Sequence, residues 1–185
     1  MGFFSRDIQT MDDLFIHTLR DIYYAEQKIL EALPTMINKC SNANLKSAFQ
    51  HHMAETQNHV RRVEQVFEMH NAERKTIDCP AIDGILKEAK EVAGDVDLED
   101  KEVLDAALIA AAQAVEHYEF TRYGSLISWA RSLGRDDCAN VLQANLKEEK
   151  AADEKLTEIA ESGVNPRLQQ HETVSTSHPL ISWNS

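Results

Sequence analysis

Residues 15–37 read FIHTLRDIYYAEQKILEALPTMI, and their apolar side chains recur at the three- and four-residue spacing of a helix that buries one face. The apolar positions are Phe15, Leu19, Ile22, Ile29, Leu33 and Ile37. Glu26 stands where the next apolar residue of this stripe is due. A carboxylate on a buried helix face is costly unless it is paired, protonated or bound to a cation. The stretch therefore predicts a helix packed in a bundle, with an acidic group directed inward.

Two further stretches carry acidic residues at equivalent places on an apolar stripe. Glu116 and Glu119 interrupt the first, and Glu149 and Asp153 interrupt the second. The apolar positions around them are Ile109, Ala112, Tyr123, Leu126 and Ala130 in the first stretch and Leu142, Leu146, Leu156 and Ala160 in the second. Carboxylates that converge from several helices are typical of metal sites inside helical bundles. We therefore look for function at mid-helix.

The composition favours a single helical domain. The chain has 185 residues, with only six glycines and four prolines, and it is rich in residues that form helices well. The net charge of -12 argues against nucleic-acid binding, which needs clustered basic residues to displace counterions. It argues equally against an anionic membrane surface. We expect neither nucleic acid nor membrane among the partners.

The termini and cysteines favour a cytoplasmic protein. No apolar run reaches the roughly 18–20 residues that a membrane span requires. The first residues, MGFFSRDIQTMDD, turn acidic without the apolar core of a signal peptide. Cys40, Cys79 and Cys138 are odd in number, far apart and match no zinc spacing. We expect reduced thiols that are buried or half-buried.

Capping and helix-breaking residues divide the chain into four long helices and one short helix. The long helices are expected at about 9–40, 44–70, 97–133 and 136–162, and the short helix at 82–92. Pro34 should kink the first helix, and Gly134 should end the third long helix. Short loops make neighbours antiparallel, and the long connection lets the second hairpin lie across the first. The sequence thus predicts an all-α, ferritin-like four-helix bundle: two antiparallel helix hairpins with a long crossover that carries a short fifth helix.

The bundle is expected to span residues 1–165. Residues 166–185 lack helical periodicity and are rich in Ser, Thr and His, which predicts a flexible C-terminal tail.

The two halves of the chain resemble each other faintly. A shift of 93 positions places Glu26 on Glu119 and Glu55 on Glu148. One offset that serves both helix pairs is consistent with a bundle whose halves are related by a two-fold axis.

The second long helix adds nitrogen ligands to the candidate site. His52, Glu55 and His59 are spaced by three and four residues, so neighbouring members project from one face. Oxygen-rich sites with a few imidazoles suit iron or manganese, and the absence of cysteine argues against structural zinc. His52 is the preferred nitrogen ligand, with His59 as the alternative. The predicted metal ligands are Glu26, His52, Glu55, Glu116, Glu119, Glu149 and Asp153.

Each of these residues also has a structural interpretation. Glu26 alone could pair with a lysine or arginine at the edge of the core. Glu149 and Asp153 lie in or beside a charged run, where an ordinary solvated face is the alternative. The Glu116 and Glu119 pair favours the ligand interpretation, since two carboxylates one turn apart on a buried face repel each other without a cation.

Four segments resemble the YciE/YciF-like bacterial stress-response family of the ferritin-like superfamily. They read YAEQKILEALPTM, FQHHMAETQNHVRRVEQVFE, DAALIAAAQAVEHYEFTRYGSL and LKEEKAADEKLTEIA. The resemblance implies a homodimeric four-helix bundle related to rubrerythrin and other di-metal carboxylate proteins. It implies Glu26, Glu55, Glu119 and Glu149 as metal ligands, with His52, Glu116 and Asp153 close by.

The sequence departs from the broader di-iron pattern at one motif. A Glu-x-x-His pair is expected on both the second and the fourth helix. Asn58 stands three places beyond Glu55, and Ala151 three places beyond Glu148. The departure permits a carboxylate-rich site, a single ion, or a scaffold that binds nothing.

The leading hypothesis is a cytoplasmic protein with a dinuclear iron or manganese site that handles peroxide, dioxygen or iron during stress. The alternative is a non-catalytic helical scaffold with a degenerate or empty metal site. Iron storage in a hollow shell is a weaker third hypothesis, because no feature of the sequence predicts a multi-subunit cage.

Overall fold

The computed structural model describes residues 8–94 and 101–168, and these form five helices. Their bounds are α1 Met11–Lys39, α2 Ala43–Met69, α3 Pro80–Gly94, α4 Lys101–Ser132 and α5 Asp136–Ile159. A π-helical segment, Ala160–Val164, continues α5. The α1 and α5 helices each pack against both α2 and α4, so the four long helices form a ring, and α3 packs outside it on α1 and α4. The predicted all-α, ferritin-like bundle is confirmed.

Each long helix turns one apolar stripe toward the shared core. In α1 the stripe has the spacing predicted from the sequence, and every member is at most 7 % exposed. Its apolar members are Phe15, Leu19, Ile22, Ile29, Leu33, Met36 and Ile37. Burial of each such side chain stabilises the fold by about 1.5–3 kcal/mol. The three cysteines are free and buried, as predicted.

Local sequence signals fix the helix ends. Thr10 caps α1: its hydroxyl accepts a hydrogen bond from the backbone of Asp13, whose carboxylate accepts one from the backbone of Thr10. The side-chain oxygen of Asn42 caps α2 by accepting hydrogen bonds from the backbone of Asn44 and of Leu45. Gly134, just past α4, has a φ of 71°, which favours glycine.

Some predicted boundaries differ from the structure or lie outside it. Helix α1 continues through Pro34, as expected of a kink within a helix, and the kink itself stays a prediction. The last helix continues beyond the expected stop at 162, through the π-helical segment to residue 168, because packing of this segment on α4 outweighs the weak helix preference of Gly163. The break after α3 and the start of the 97–133 helix fall partly outside the described residues, as does most of the predicted tail.

No helix in the described ranges combines the length and the apolar character needed to cross a bilayer.

A buried carboxylate anchors the turn between α1 and α2. Asp105 on α4 is 1 % exposed, and it accepts hydrogen bonds from the Ser41 backbone at 2.8 Å, the Ser41 hydroxyl at 2.6 Å and the Asn42 backbone at 2.9 Å. This contact ties the first hairpin to the second.

Asp105→Ala is expected to lower the free energy of unfolding by about 2–4 kcal/mol, because it leaves three donors without their charged acceptor. Urea denaturation measures the change. Asp78→Ala, at an exposed position between α2 and α3, is the matched control and should stay within about 0.5 kcal/mol of the parent protein. Equal effects of the two substitutions would contradict the anchoring role.

Candidate metal centre

Six polar side chains meet inside the bundle where the apolar stripes are interrupted. One comes from α1, two from α2, two from α4 and one from α5. His52 is 6 % exposed, and the other five are at most 2 % exposed. The six are Glu26, His52, His59, Glu116, Glu119 and Glu149. We call them the inner cluster.

The inner cluster consists of two groups that share one carboxylate. His52, Glu116, Glu119 and Glu149 form the first, and Glu26, His59 and Glu149 form the second. Within each group, one possible ligand atom from every residue lies within 4.8 Å of the others. The sharing of Glu149 is the arrangement expected of a residue that bridges two metal ions.

The two oxygens of Glu149 face different groups. Its Oε1 lies 2.7 Å from Nδ1 of His59, and its Oε2 lies 3.8 Å from Nδ1 of His52. On the outer side of each group, Glu26 Oε1 lies 3.5 Å from Nδ1 of His59, and Glu116 Oε1 lies 3.4 Å from Nε2 of His52. Each histidine therefore stands between the shared carboxylate and a second one.

Many polar atoms of the inner cluster form no hydrogen bond among the described residues, although Nδ1 of His59 and Oε1 of Glu149 lie within ion-pair distance of each other. They are Oε2 of Glu26, Nδ1 of His52, Nδ1 of His59, Oε2 of Glu116, and both carboxylate oxygens of Glu119 and of Glu149. Buried polar groups are nearly always hydrogen-bonded, so such a concentration calls for an explanation. Four carboxylates and two imidazoles are a donor set that suits iron or manganese. Two divalent ions would balance the four carboxylate charges, so the residues present fit a dinuclear site.

A second set of side chains orients His59. Its Nε2 lies 2.9 Å from Oε2 of Glu148, and Arg62 donates two hydrogen bonds to the same carboxylate, at 2.6 and 2.9 Å. Glu148 is thus held as an acceptor, which places the Nε2 proton on the outer side of the ring. In the neutral imidazole the Nδ1 lone pair then points into the inner cluster. Metal-ligating histidines are commonly oriented in this way by a carboxylate.

Tyr123 and Asn145 complete the surroundings of Glu26. The Tyr123 hydroxyl donates to Oε1 of Glu26 and accepts a hydrogen bond from the Asn145 amide at 2.9 Å. Arg62 donates to the Asn145 carbonyl at 3.0 Å. These contacts hold Oε1 of Glu26, whereas its buried Oε2 has no hydrogen-bond partner among the described residues.

Burial and mutual repulsion favour protonated carboxyl groups here. Burial raises the pKa of Glu116 to about 8. Burial and then the charges of neighbouring carboxylates raise the pKa values of Glu119 and Glu149 well above their usual range. Without a cation, the folded protein therefore holds protons that these groups lose in water near neutral pH.

The two histidines of the cluster are shifted in opposite directions. Burial and then the nearby His59 lower the pKa of His52 to about 3, so His52 is neutral. Burial acts to lower the pKa of His59, but the nearby charges of Glu26 and Glu119 and the hydrogen bond to Glu148 outweigh it and raise the pKa to about 9. His59 is thus a cation in the metal-free protein and must lose one proton to bind a metal.

Two of the predicted ligands, Glu55 and Asp153, lie outside both groups. Glu55 is half-buried and pairs with His51 at 3.2 Å. Asp153 accepts a hydrogen bond from Gln113 at 3.0 Å. Glu55 stands one residue before the buried Thr56, and one residue rotates a side chain by about 100° around the helix axis. Asp153 follows Glu149 by four residues and is half-buried. The other five predicted ligands belong to the inner cluster; whether they bind metal stays a prediction.

His59, the alternative nitrogen ligand in the sequence prediction, joins His52 in the cluster. The signal that places both is the complete stripe of α2, which steps by four and three residues through Leu45, Phe49, His52, Thr56, His59, Val63 and Val66, all buried. Glu55 does not lie on that stripe.

A cavity of about 530 Å³ reaches the first group. All four long helices line it, and His52 and Glu116 form part of its wall. It gives small molecules a path to one side of the inner cluster.

The fold and the inner cluster define a ferritin-like helical bundle with a candidate di-metal carboxylate centre. The chain belongs to the family described as domain of unknown function DUF892, whose model matches residues 10–169. It is 43% identical to protein YciF of Escherichia coli (strain K12) over 164 residues, which are 88% of this chain and 98% of YciF.

Solved structures agree with this membership. The crystal structure of the E. coli stress protein YciF has a TM-score of 0.81 and 44% identity, covering 85% of this chain and 99% of that one. The structure of YcfI from Rhodopseudomonas palustris has a TM-score of 0.79 and 55% identity, covering 83% and 97%. A protein from Xanthomonas campestris, with a TM-score of 0.68 and 21% identity, covers 88% and 99% and shows the likeness of fold alone.

Proposed function

We propose that this protein binds two iron or manganese ions in the inner cluster and handles peroxide or dioxygen during stress. The observation that carries the proposal is the set of buried ligand atoms, many of them without a hydrogen bond among the described residues, arranged in two groups that share Glu149. The similarity to a stress protein supports the physiological setting.

Iron or manganese would supply Lewis acidity and redox capacity to a bound oxidant. The residues of this chain determine where that chemistry takes place. Glu149 presents one oxygen to each group, and Glu26 and Glu116 lie on the outer sides. The cavity ends at the His52 group, so an oxidant reaches that side of the cluster first.

The proposal is tested by loading metal-free protein with Fe(II) or Mn(II) under anaerobic conditions. After removal of loosely bound metal, mass spectrometry of the metal is expected to give about two ions per chain. Loaded protein should consume hydrogen peroxide faster than metal-free protein does, as followed by a peroxide assay. Metal content at background level after both loadings would contradict the proposal.

A non-catalytic scaffold is the second candidate, and the raised pKa values of the inner cluster favour it. Protons on Glu116, Glu119 and Glu149, with the charge on His59, lower the cost of burying the cluster without any ion. The description of YcfI also suggests a structural role for that protein. A scaffold predicts no thermal stabilisation by metal and no peroxide consumption, so the same loading experiment separates the two functions.

A further inference from the structure

The cavity beside the inner cluster is larger than peroxide or dioxygen requires. Its volume of about 530 Å³ falls in the range of small-molecule binding pockets, roughly 300–1,000 Å³. A water molecule takes only about 30 Å³ in the liquid. The cavity therefore has room for an organic molecule next to the candidate metal ligands.

The walls of this cavity are mainly apolar. Small side chains on all four long helices create much of the space, and larger aliphatic and aromatic side chains close it. The small residues are Ala32, Ala48, Ala112, Ala151 and Ala152, and the larger ones are Ile29, Leu33, Met36, Phe49, Leu86, Val115 and Leu156. Such walls bind an apolar body by excluding water from it.

The charged side chains at the mouth already have partners. His51 and Lys155, with side chains 76 % and 52 % exposed, mark the mouth between α2 and α5. His51 lies 3.2 Å from Glu55, and Lys155 lies 2.7 Å from Glu158. Because these two side chains already have oppositely charged partners, they do not favour a charged ligand, and we expect an uncharged one.

The inner end of the cavity offers a polar contact. Glu116 is 2 % exposed and lines the cavity, and its Oε2 has no hydrogen-bond partner among the described residues. A hydroxyl or hydroperoxide group at this depth could donate a hydrogen bond to that oxygen. An apolar molecule without such a group would leave it unpaired, at a cost of about 1–3 kcal/mol.

We propose that the cavity binds an uncharged organic hydroperoxide, with its apolar body against the alanine-lined walls and its peroxide group against His52 and Glu116. The inference rests on the proposed function for the choice of a peroxide, whereas the apolar body follows from the cavity itself. It predicts that the protein distinguishes organic hydroperoxides from hydrogen peroxide by binding.

Binding to metal-free protein tests the proposal without any need for activity. Calorimetric titration with 2-phenyl-2-propanol, the stable alcohol that corresponds to cumene hydroperoxide, is expected to give one site with a Kd below about 1 mM. Cumene, which has the same body without the hydroxyl, should bind at least about tenfold more weakly. Absence of saturable binding, equal binding of cumene, or tighter binding of the octanoate anion would each overturn the proposal.

A pocket-filling substitution locates the ligand. Ala48→Trp should weaken binding of the alcohol at least about tenfold. Ala54→Trp, at an exposed position of the same helix outside the cavity, should leave it unchanged. Ala48→Leu, a smaller change, serves if the tryptophan variant does not fold, and circular dichroism decides that. Unchanged binding in a folded Ala48 variant would overturn the location.

Metal content of the same variants separates this inference from the proposed function. Both Ala48 variants are expected to load as much metal as the parent protein, because Ala48 is not in the inner cluster. Loss of ligand binding with full metal loading supports the pocket. A protein that takes up metal but not the alcohol overturns the pocket alone. One that binds the alcohol but no metal supports the pocket and contradicts the di-metal function.

Discussion

Glu149→Gln is expected to abolish high-affinity binding of both metal ions. Glu149 is the one residue common to the two groups, and its oxygens face His59 on one side and His52 on the other. The amide keeps the shape but removes the negative charge and one of the two acceptor oxygens. Metal content after loading with Mn(II) should therefore fall from about two ions per chain to background.

Two further substitutions should remove fewer metal ions than Glu149→Gln does. Glu26→Gln should remove one ion and spare the other, because Glu26 belongs only to the His59 group. Glu55→Gln is the control and should keep both ions, because Glu55 lies on α2 but pairs with His51 outside the inner cluster. Retention of both ions by the Glu149 variant, or equal losses in all three variants, would contradict the bridging role.

The Glu149 variant should also be more stable than its parent when metal is absent. Removing one carboxyl from a buried group of four relieves burial and repulsion, worth about 1–3 kcal/mol. Chemical denaturation in the presence of a chelator measures this gain. A gain in metal-free stability together with a loss of metal binding excludes misfolding as the cause of the loss.

Metal-free protein is expected to lose at least about 2 kcal/mol of stability between pH 5 and pH 8, since one pKa unit corresponds to about 1.4 kcal/mol. The pKa of Glu116 rises from 4.5 unfolded to about 8 folded, so the folded state holds a proton that the unfolded state releases across this range. Glu119 and Glu149 act in the same direction. Stability contributed by this proton uptake is complete below pH 4.5 and falls as pH rises.

The two histidines of the inner cluster also change the free energy of unfolding with pH. The pKa of His59 is raised from 6.5 to about 9, so its contribution is complete below pH 6.5 and is lost as pH rises through about 9. The pKa of His52 is lowered from 6.5 to about 3, so its folded state is penalised as pH falls below 6.5. Three carboxyl groups with raised pKa values outweigh the one histidine with a lowered pKa, so these groups place the maximum stability of the metal-free protein near the lower end of the range from pH 4.5 to 6.5.

Bound metal should oppose the fall in stability between pH 5 and pH 8. Ligands must be deprotonated to bind, so affinity for Mn(II) and the stabilisation that it gives grow with pH. Urea denaturation at pH 5 and pH 8, with chelator or with Mn(II), provides the four values needed. A metal-free protein that is more stable at pH 8 than at pH 5 would contradict the protonation described for the inner cluster.

The fold could be predicted because local signals and global packing agree. The α1 stripe and the stop at Gly134 each act within a few residues, and the structure uses both. The extension of the last helix to residue 168 could not be predicted, because it depends on packing against α4 rather than on its own residues.

The candidate site could be predicted in part. On α2, the predicted ligand Glu55 lies one position away from the residues that face inward. The shift of 93 positions matched Glu55 with Glu148, but both stand beside the inward stripe. On the stripe, the same shift pairs Thr56 with Glu149. Three places further on stand His59 and Ala152.

Measured from the stripe, the Glu-x-x-His motif is divided between two helices. The α2 helix keeps the histidine and has Thr56 in place of the glutamate, whereas α5 keeps Glu149 and has Ala152 in place of the histidine. His52 and Glu116 add a second imidazole and a further carboxylate. Counting three places from Glu55 and from Glu148 leads to Asn58 and Ala151. It does not find the divided motif, because both glutamates stand beside the inward stripe.

The cavity could not be read from the sequence. Its alanines are also good helix formers, so they fit a helical composition without indicating space. Only the packing of four helices around them shows that their small side chains leave a pocket at the His52 side of the cluster.

Anomalous diffraction from crystals of the Mn(II)-loaded protein tests the di-metal centre most directly. We expect two peaks about 3.5–4 Å apart inside the bundle, one beside His52 and one beside His59, with the Glu149 carboxylate between them. Fully loaded crystals with no peak in the inner cluster, or with manganese bound only to acidic residues on the surface, would contradict it.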